Sequence, residues 1–314
     1  DKLYKGNALT KEDHYEDARI IKELGANTIR LAHYQHAQDF YDACDELGFV
    51  VWAEIPFISV FNKDPEAHQN CIQQLKELII QNYNHPSICF WGISNEILIG
   101  GISEKLVENH KELNALAKEL DPTRLTTIAH VSMTSLESPM HHITDVISYN
   151  HYFGWYGGKM EDNGPWMWSS HVWNMFDFGC AARNEGGVAG RNNKGLVTVD
   201  RKVKKDSFYI YQSYWSEKPM VHICGRRYAQ RAGETTEVRV YSNQPSVKLF
   251  VNGSLVEEKK ADKVFVFTVS LKDGNNILVA EAGSVKDSIS LEKVEKEPEI
   301  YVLPEVNERA EGVA

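Results

Sequence analysis

The chain has 314 residues, a formal net charge of −10 at pH 7, 25% charged residues and 42% apolar ones. This is ordinary globular composition, and the acidic excess argues against nucleic acid or an anionic membrane as partner, since both need a basic patch. The apolar runs are too short for membrane insertion as helices, and the length suits one large domain plus a smaller one.

The five cysteines, Cys44, Cys71, Cys89, Cys180 and Cys224, are odd in number and form no C-x-x-C pair. They read as small buried apolar residues rather than a disulfide or metal framework. The sequence starts at Asp1 with neither Met nor a signal segment, which leaves the compartment open between cytoplasm and export.

Residues 1–216 alternate helix-like and strand-like segments. Lys11–Leu24 is amphipathic and stops at Gly25, and Asn27–His33 follows as a short apolar strand. Gln38–Leu47 is a helix ending at Gly48, before the buried strand Phe49–Ile55. Pro65–Asn82 is a long helix, and Ile88–Ile93 is a strand that turns polar at Ser94-Asn95-Glu96. Glu104–Leu120 is a helix closed by Asp121-Pro122, and Leu125–Ala129, Val146–Tyr149 and Ser169–Trp173 are further strands. Strands apolar throughout and separated by helices are parallel and covered on both faces. With no Gly-rich phosphate loop after the first strand, strand–helix alternation of this length favours an α/β barrel over a doubly wound sheet; as a (β/α)8 TIM barrel it is incomplete, since this sequence shows six of the strands.

The texture changes at residue 217. Glu237–Tyr241, Val247–Val251, Leu255–Lys259, Val264–Leu271, Asn276–Ala282 and Asp287–Leu291 are short alternating strands, and Asn252-Gly253 is a type I′ hairpin signal. Residues 217–296 therefore read as an all-β immunoglobulin-like sandwich, and 297–314 as a charged, poorly ordered tail.

Barrel enzymes carry their chemistry at the C-terminal ends of strands. Polar residues gather at four such ends: Arg30 with His33, Asn95 with Glu96, Asn150 with Tyr152, and Trp173-Asn174 with Asp177. Each alone has a plain reading, Glu96 as a helix-cap neighbour and Arg30 as half of a buried ion pair. Their shared position on strand ends favours function.

Asn84-His85-Pro86-Ser87-Ile88 followed by Trp91-Gly92-Ile93-Ser94-Asn95-Glu96 resembles the acid/base signature of glycoside hydrolase family 2. Gly25 to Tyr34 resembles that family's second-strand motif, and Trp173-Asn174-Met175-Phe176-Asp177-Phe178 its eighth. The resemblance covers residues 1 to about 230. It implies a retaining exo-β-glycosidase that works by double displacement, with two carboxyl groups about 5–5.5 Å apart. By the same resemblance Glu96 is the acid/base, Asn95 holds the sugar 2-hydroxyl and Tyr152 orients the nucleophile. Arg30 lies beside it, and His33, Asn150, Trp173 and Asp177 line the sugar site. The partner is a carbohydrate, and a homo-oligomer is compatible with the family.

The family's nucleophile motif is missing. Ser148 to Tyr152 is followed by Gly157 to Gly164 and then Pro165-Trp166-Met167-Trp168 almost at once, as if a helix–strand–helix stretch had been lost near Pro165. The first barrel strand is missing too. The preferred reading is that the parent molecule contains residues this sequence omits; a true deletion would leave a catalytically dead carbohydrate-binding or scaffold protein. Glu161 sits in a Gly/Asp/Asn-rich loop and is a poor substitute, and Glu54 is a better spare. His141-His142 and His33-x-x-His36 lack a third spaced ligand, and Glu54-Ile55-Pro56 lacks the Glu-x-His arrangement of metal-holding members. No metal and no cofactor are expected.

For the sugar, Asn192-Asn193-Lys194-Gly195 fits an Asn-x-Lys-Gly pattern by which β-glucuronidases of the family grip the uronate carboxylate, a charge that suits a Lys ammonium. Val50 to Pro56 and Cys224 to Tyr228 look more like the galactosidase branch. β-Galactosidase is the first expectation, and β-glucuronidase the alternative.

Overall fold

The computed structural model describes residues 1–151, 169–185 and 188–296. By internal contacts the chain divides into two units, His14–Ala18 with Asn27–His171, and Asp1–Asp13 with Arg19–Ala26 and everything from Val172.

In the first unit the expected apolar runs become five parallel strands, β1 (Thr28–Leu31), β2 (Val50–Glu54), β3 (Ile88–Asn95), β4 (Leu125–Val131) and β5 (Val146–Asn150). They pair in sequence order, β1-β2-β3-β4-β5. Helices stand between them: α1 (Lys11–Leu24) precedes β1, α2 (Gln38–Leu47) and α3 (Pro65–Asn82) flank β2, and α4 (Glu104–Leu120) leads into β4. Strands that follow one another as parallel neighbours through helical crossovers build a half barrel. Local chemistry sets the helix ends. Asp64 accepts a hydrogen bond from Glu66 N with Pro65 in the first turn, Ser103 accepts from Leu106 N, and Gly48 ends α2 at φ 68°. The core is made by Val51, Trp91, Ile93, Ile128, Leu75, Ile79 and Leu113, all fully buried.

The sixth expected strand, Ser169–Trp173, is not one. Those residues join no ladder, and the nearest pairing is a single bridge from Phe176 to Val197. An extended run becomes a strand only where a neighbour offers its N–H and C=O groups, and among the described residues none does.

The second unit holds an unexpected antiparallel pair, β6 (Phe178–Glu185) and β7 (Val188–Asn192), then α5 (Asp206–Trp215). Leu24, Leu196, Val197 and Phe208 form a small core around α5. Gly25 allows the close approach there, since a Cβ on it would lie 2.6 Å from the Trp215 carbonyl carbon.

The remaining strands make a β-sandwich. One sheet orders β8 (Val221–Ile223), β10 (Thr235–Ser242) and β13 (Val264–Ser270) as β13-β10-β8. The other contains β9 (Gln230–Arg231), β11 (Ser246–Val251), β12 (Ser254–Lys260), β14 (Gly274–Ala282) and β15 (Val285–Lys293), ordered β12-β11-β14-β15-β9. Alternate residues of both sheets, among them Val240, Leu249, Phe265, Phe267 and Leu278, share one buried core. Asn252 and Gly253, both at positive φ, close the hairpin between β11 and β12.

Candidate active site

One guanidinium organises the strand ends of the half barrel. Arg30 on β1 donates from Nε and Nη2 to the two Glu54 oxygens at 2.9 and 3.0 Å, a bidentate pair with β2. Its Nη2 also donates to Asn95 Oδ1 on β3 at 2.7 Å, and Nη1 to Asn150 Oδ1 on β5 at 3.0 Å. Trp52 on β2 lies under the cation, 4.3 Å from ring centre to guanidinium carbon, and His171 meets the same indole edge-on at 5.9 Å. Glu54 is fully buried, so removing either partner would leave an uncompensated charge at a cost of about 3–5 kcal/mol.

Asn150 passes this order to Glu96. Its amide donates to Asn95 Oδ1 and to Glu96 Oε1, both at 2.9 Å. Glu96 N donates to Ala129 O on β4 at 2.7 Å. Glu96 sits at φ 50°, in the left-handed region, a conformation that costs a non-glycine residue about 1–3 kcal/mol and collects at functional sites. The carboxyl is half-buried and fixed through one oxygen. Asn95 is buried, its Oδ1 accepts twice, and its Nδ2 donates to none of the described residues. A carboxyl held at one oxygen, beside an amide donor and a buried cation, can exchange a proton with a ligand while neighbouring groups orient it.

His33 joins through Nδ1, 2.7 Å from Glu54 Oε1. Five expected residues, Arg30, His33, Asn95, Glu96 and Asn150, therefore belong to one hydrogen-bonded cluster. Tyr152 lies outside the described residues, as does Glu161. Glu54 and Trp52 are the residues that sequence reasoning undervalued. Glu54 figured only as a spare nucleophile, yet it holds Arg30 and His33; a buried acid at the strand end next to an Arg-bearing strand was the available signal.

The other expected residues sit in the second unit. Asp177 is fully buried and accepts from Lys205 Nζ at 2.7 Å and Gly195 N at 2.9 Å. Its contacts thus anchor the 192–195 loop. A Cβ on Gly195 would lie 2.0 Å from Asp177 N, so only glycine fits there. Burial pushes the Lys205 ammonium down, against the pull of Asp177. Asn192 is buried, its Oδ1 accepts from Lys194 N at 3.0 Å, and its Nδ2 has no hydrogen-bond partner among the described residues. The Lys194 ammonium stands 5.7 Å from the Trp173 ring centre.

His141 bonds to Tyr149 and to the Leu136 carbonyl. Among the described residues, the His/Cys/carboxylate groupings with ligand-like spacing are instead Asp42, Asp45 and His85, and Asp206, His222 and Cys224. Both have ordinary structural partners. Asp45 bridges His85 to Ser87 N, and Asp206 bridges His222 to Gly225 N.

Residues 1–174 match the family described as glycosyl hydrolases family 2, TIM barrel domain, and residues 233–286 match a domain of unknown function, DUF4982. The chain belongs to glycosyl hydrolase family 2. A β-glucuronidase of Bacteroides fragilis is 35% identical over 95% of this chain and 53% of its own length. The crystal structure of an FMN-binding β-glucuronidase from Facaelibacterium prausnitzii L2-6 is 62% identical with a TM-score of 0.92, covering 95% of this chain and 55% of that one. A Bacteroides uniformis β-glucuronidase 2, covalently bound to cyclophellitol-6-carboxylate aziridine, is 29% identical with a TM-score of 0.81, covering 91% and 44%. Other relatives carry β-galactosidase names. The chain spans about half the length of these glucuronidases. The alignment with the B. fragilis protein runs over 374 residues against a chain of 314, so that relative carries residues within the matched span that have no counterpart here.

Proposed function

We propose that this chain is part of a retaining exo-β-glucuronidase, with Glu96 as its acid/base. The observation that carries the uronide reading is the set of relatives: the galactosidase expected first gives way because glucuronidase-named proteins match nearly the whole chain at the highest identities. The Asn192-x-Lys194 pair supports it, since an ammonium complements a carboxylate at C6. The covalent adduct of the B. uniformis relative, with a 6-carboxylate electrophile, supports a nucleophilic, two-step route.

In this reading Glu96 protonates the glycosidic oxygen as the leaving group departs, then takes a proton from the water that releases the sugar. Asn95 Nδ2 donates to the sugar 2-hydroxyl. Glu54 orients Arg30 and His33 rather than attacking, because both of its oxygens already accept from them. The nucleophile belongs to parent residues that this chain lacks. Residues 1–216 serve as the catalytic domain and 217–296 as an immunoglobulin-like sandwich.

The test uses the full-length parent with nitrophenyl glucuronide and nitrophenyl galactoside in parallel. Preference for the glucuronide, lost on Lys194→Ala, supports the uronide reading; preference for the galactoside overturns it.

FMN comes to this chain as a second proposal, on its likeness to the 62%-identical structure. A cavity of about 290 Å³ in the second unit is lined by Arg231, Arg239 and Tyr241, and two guanidinium groups suit a phosphate. Glu237 lines it too, accepts from Arg239 at 3.0 Å and would have to yield that arginine. Asp206, engaged by His222 and Gly225 N, adds a second carboxylate to the wall. Hydrolysis changes no oxidation state, so the flavin would be a ligand rather than a reactant. Quenching of FMN fluorescence by the parent, abolished in Arg231→Ala/Arg239→Ala, supports this site; unchanged quenching in that variant excludes it.

A further inference from the structure

In the proposed function, uronide selectivity depends on where the Lys194 ammonium points. A lysine stem is flexible, so its aim begins with the backbone that carries it. The two peptide units that flank Lys194 are both held by side chains. In the first, Asn193 O accepts from Lys205 Nζ at 2.9 Å, and Lys194 N donates to Asn192 Oδ1 at 3.0 Å. In the second, Gly195 N donates to Asp177 Oδ1 at 2.9 Å. Lys205 Nζ also donates to Asp177 Oδ1, at 2.7 Å, so one ion pair joins the two holds. Peptide units are planar, and with one fixed on each side the φ and ψ of Lys194 are set. The Trp173 ring, 5.7 Å from the ammonium, flanks the far end of the stem.

The ion pair is itself tied to the framework. Asp177 N donates to Val197 O and Lys205 N to Leu196 O, both at 2.9 Å, and Leu196 and Val197 belong to the small core around α5. Lys205 caps the N-terminus of that helix. Arg191 Nη2 stands 3.8 Å from the other Asp177 oxygen, and its Nε donates to Asn193 Oδ1 at 2.6 Å. Asp177 is fully buried. A buried ion pair adds little to stability compared with an apolar pair of the same size. An apolar pair could not hold Asn193 O and Gly195 N, and this one holds both.

We propose that Asp177 and Lys205 are positioning residues for sugar specificity: they lock the peptides on either side of Lys194 and so aim its ammonium at the uronate carboxylate. Neither touches the substrate, which gives Asp177 a role other than lining the sugar site. The inference rests on the uronide reading and deepens it.

The test compares nitrophenyl glucuronide with nitrophenyl galactoside in the full-length parent, Lys205→Met, Lys194→Ala and the double variant. Methionine keeps an unbranched stem and removes the donor. Lys205→Met should raise the glucuronide KM by about tenfold, the scale of one hydrogen bond to a charged group. Its kcat on the glucuronide and its kcat/KM on the galactoside should change by less than about threefold. In the Lys194→Ala background the same substitution should leave glucuronide kcat/KM where it was, since its action passes through Lys194. A general loss of structure would instead depress both sugars alike and add to the Lys194→Ala loss. Equal losses on both sugars, additive losses, or an unchanged KM overturn the proposal. If Lys205→Met does not fold, Lys205→Gln replaces it, its amide supplying a shorter, neutral donor, and the same outcomes decide. A parent that prefers the glucuronide, with a variant that keeps the preference, overturns this inference alone. A parent without that preference overturns the uronide reading and this inference with it.

Discussion

The two units alike have apolar cores and differ in what their strands carry at their ends. In the sandwich, β10, β11, β13 and β14 turn Val240, Leu249, Phe267, Leu278 and their neighbours into one wholly apolar core. In the half barrel the strands begin apolar and end in Arg30, Glu54, Asn95 and Asn150, charged or amide groups bonded to one another. Apolar packing is roughly proportional to buried area and tolerant of detail, whereas buried polar groups demand a partner for every donor and acceptor. In the proposed function the sandwich therefore serves stability, and the strand ends of the half barrel serve chemistry.

The contrast can be broken most sharply at Glu96. Glu96→Gln in the parent protein should lower turnover of an alkyl glucuronide, a poor leaving group, by about two to four orders of magnitude, with the urea midpoint barely moved; unchanged turnover would remove Glu96 from the mechanism. Phe267→Ala should do the reverse. It should destabilise the sandwich by about 3–5 kcal/mol in chemical denaturation, while the folded fraction keeps its kcat.

Arg30→Lys probes the polar network without removing charge. A lysine cannot fork onto Glu54 and also reach Asn95 and Asn150, so kcat/KM should fall by roughly 10²-fold, the scale of a misplaced catalytic group. Retained activity would show that the network is passive.

His130 tests pH. It is buried on β4 with neither ring nitrogen bonded among the described residues, and burial, reinforced by His141 and His110, pushes its pKa down to about 4. A histidine whose folded pKa lies below its unfolded value of 6.5 leaves stability untouched above pH 6.5 and erodes it as pH falls from there towards 4. His130→Phe should flatten stability against pH in that window by up to about 1.4 kcal/mol per pH unit. An unchanged slope between pH 6.5 and 4 would assign the acid sensitivity elsewhere. The smallest effect is expected at Gly253, where φ 82° disfavours any side chain; Gly253→Ala should cost about 1 kcal/mol in thermal unfolding.

Much of this was legible in the chain. Helices bounded by Gly25, Gly48 and Asp121-Pro122 and strands flanking Asn252-Gly253 announce themselves through local chemistry, and the structure has those elements. Arg30, Asn95, Glu96 and Asn150 could be picked out because strand ends that turn polar are rare in apolar runs. Ser169–Trp173 misled because a run of strand-forming residues does not show whether a neighbour exists to pair with it. β6 and β7 escaped notice because Gly179, Cys180 and Arg183 interrupt any alternation. The role of Glu54 was hidden because its partners are 24 and 21 residues away. Adjacency across parallel strands is a property of register, which no local pattern encodes.

Arg30 has one more consequence. A single side chain from β1 is tied to the ends of β2, β3 and β5, so those strands share a common clasp. A slip of any one by a residue would unfasten the rest, and the pocket at their tips has no half-assembled version. In the proposed reading, whatever completes the barrel in a longer parent would inherit a rim already held in register before any sugar arrives.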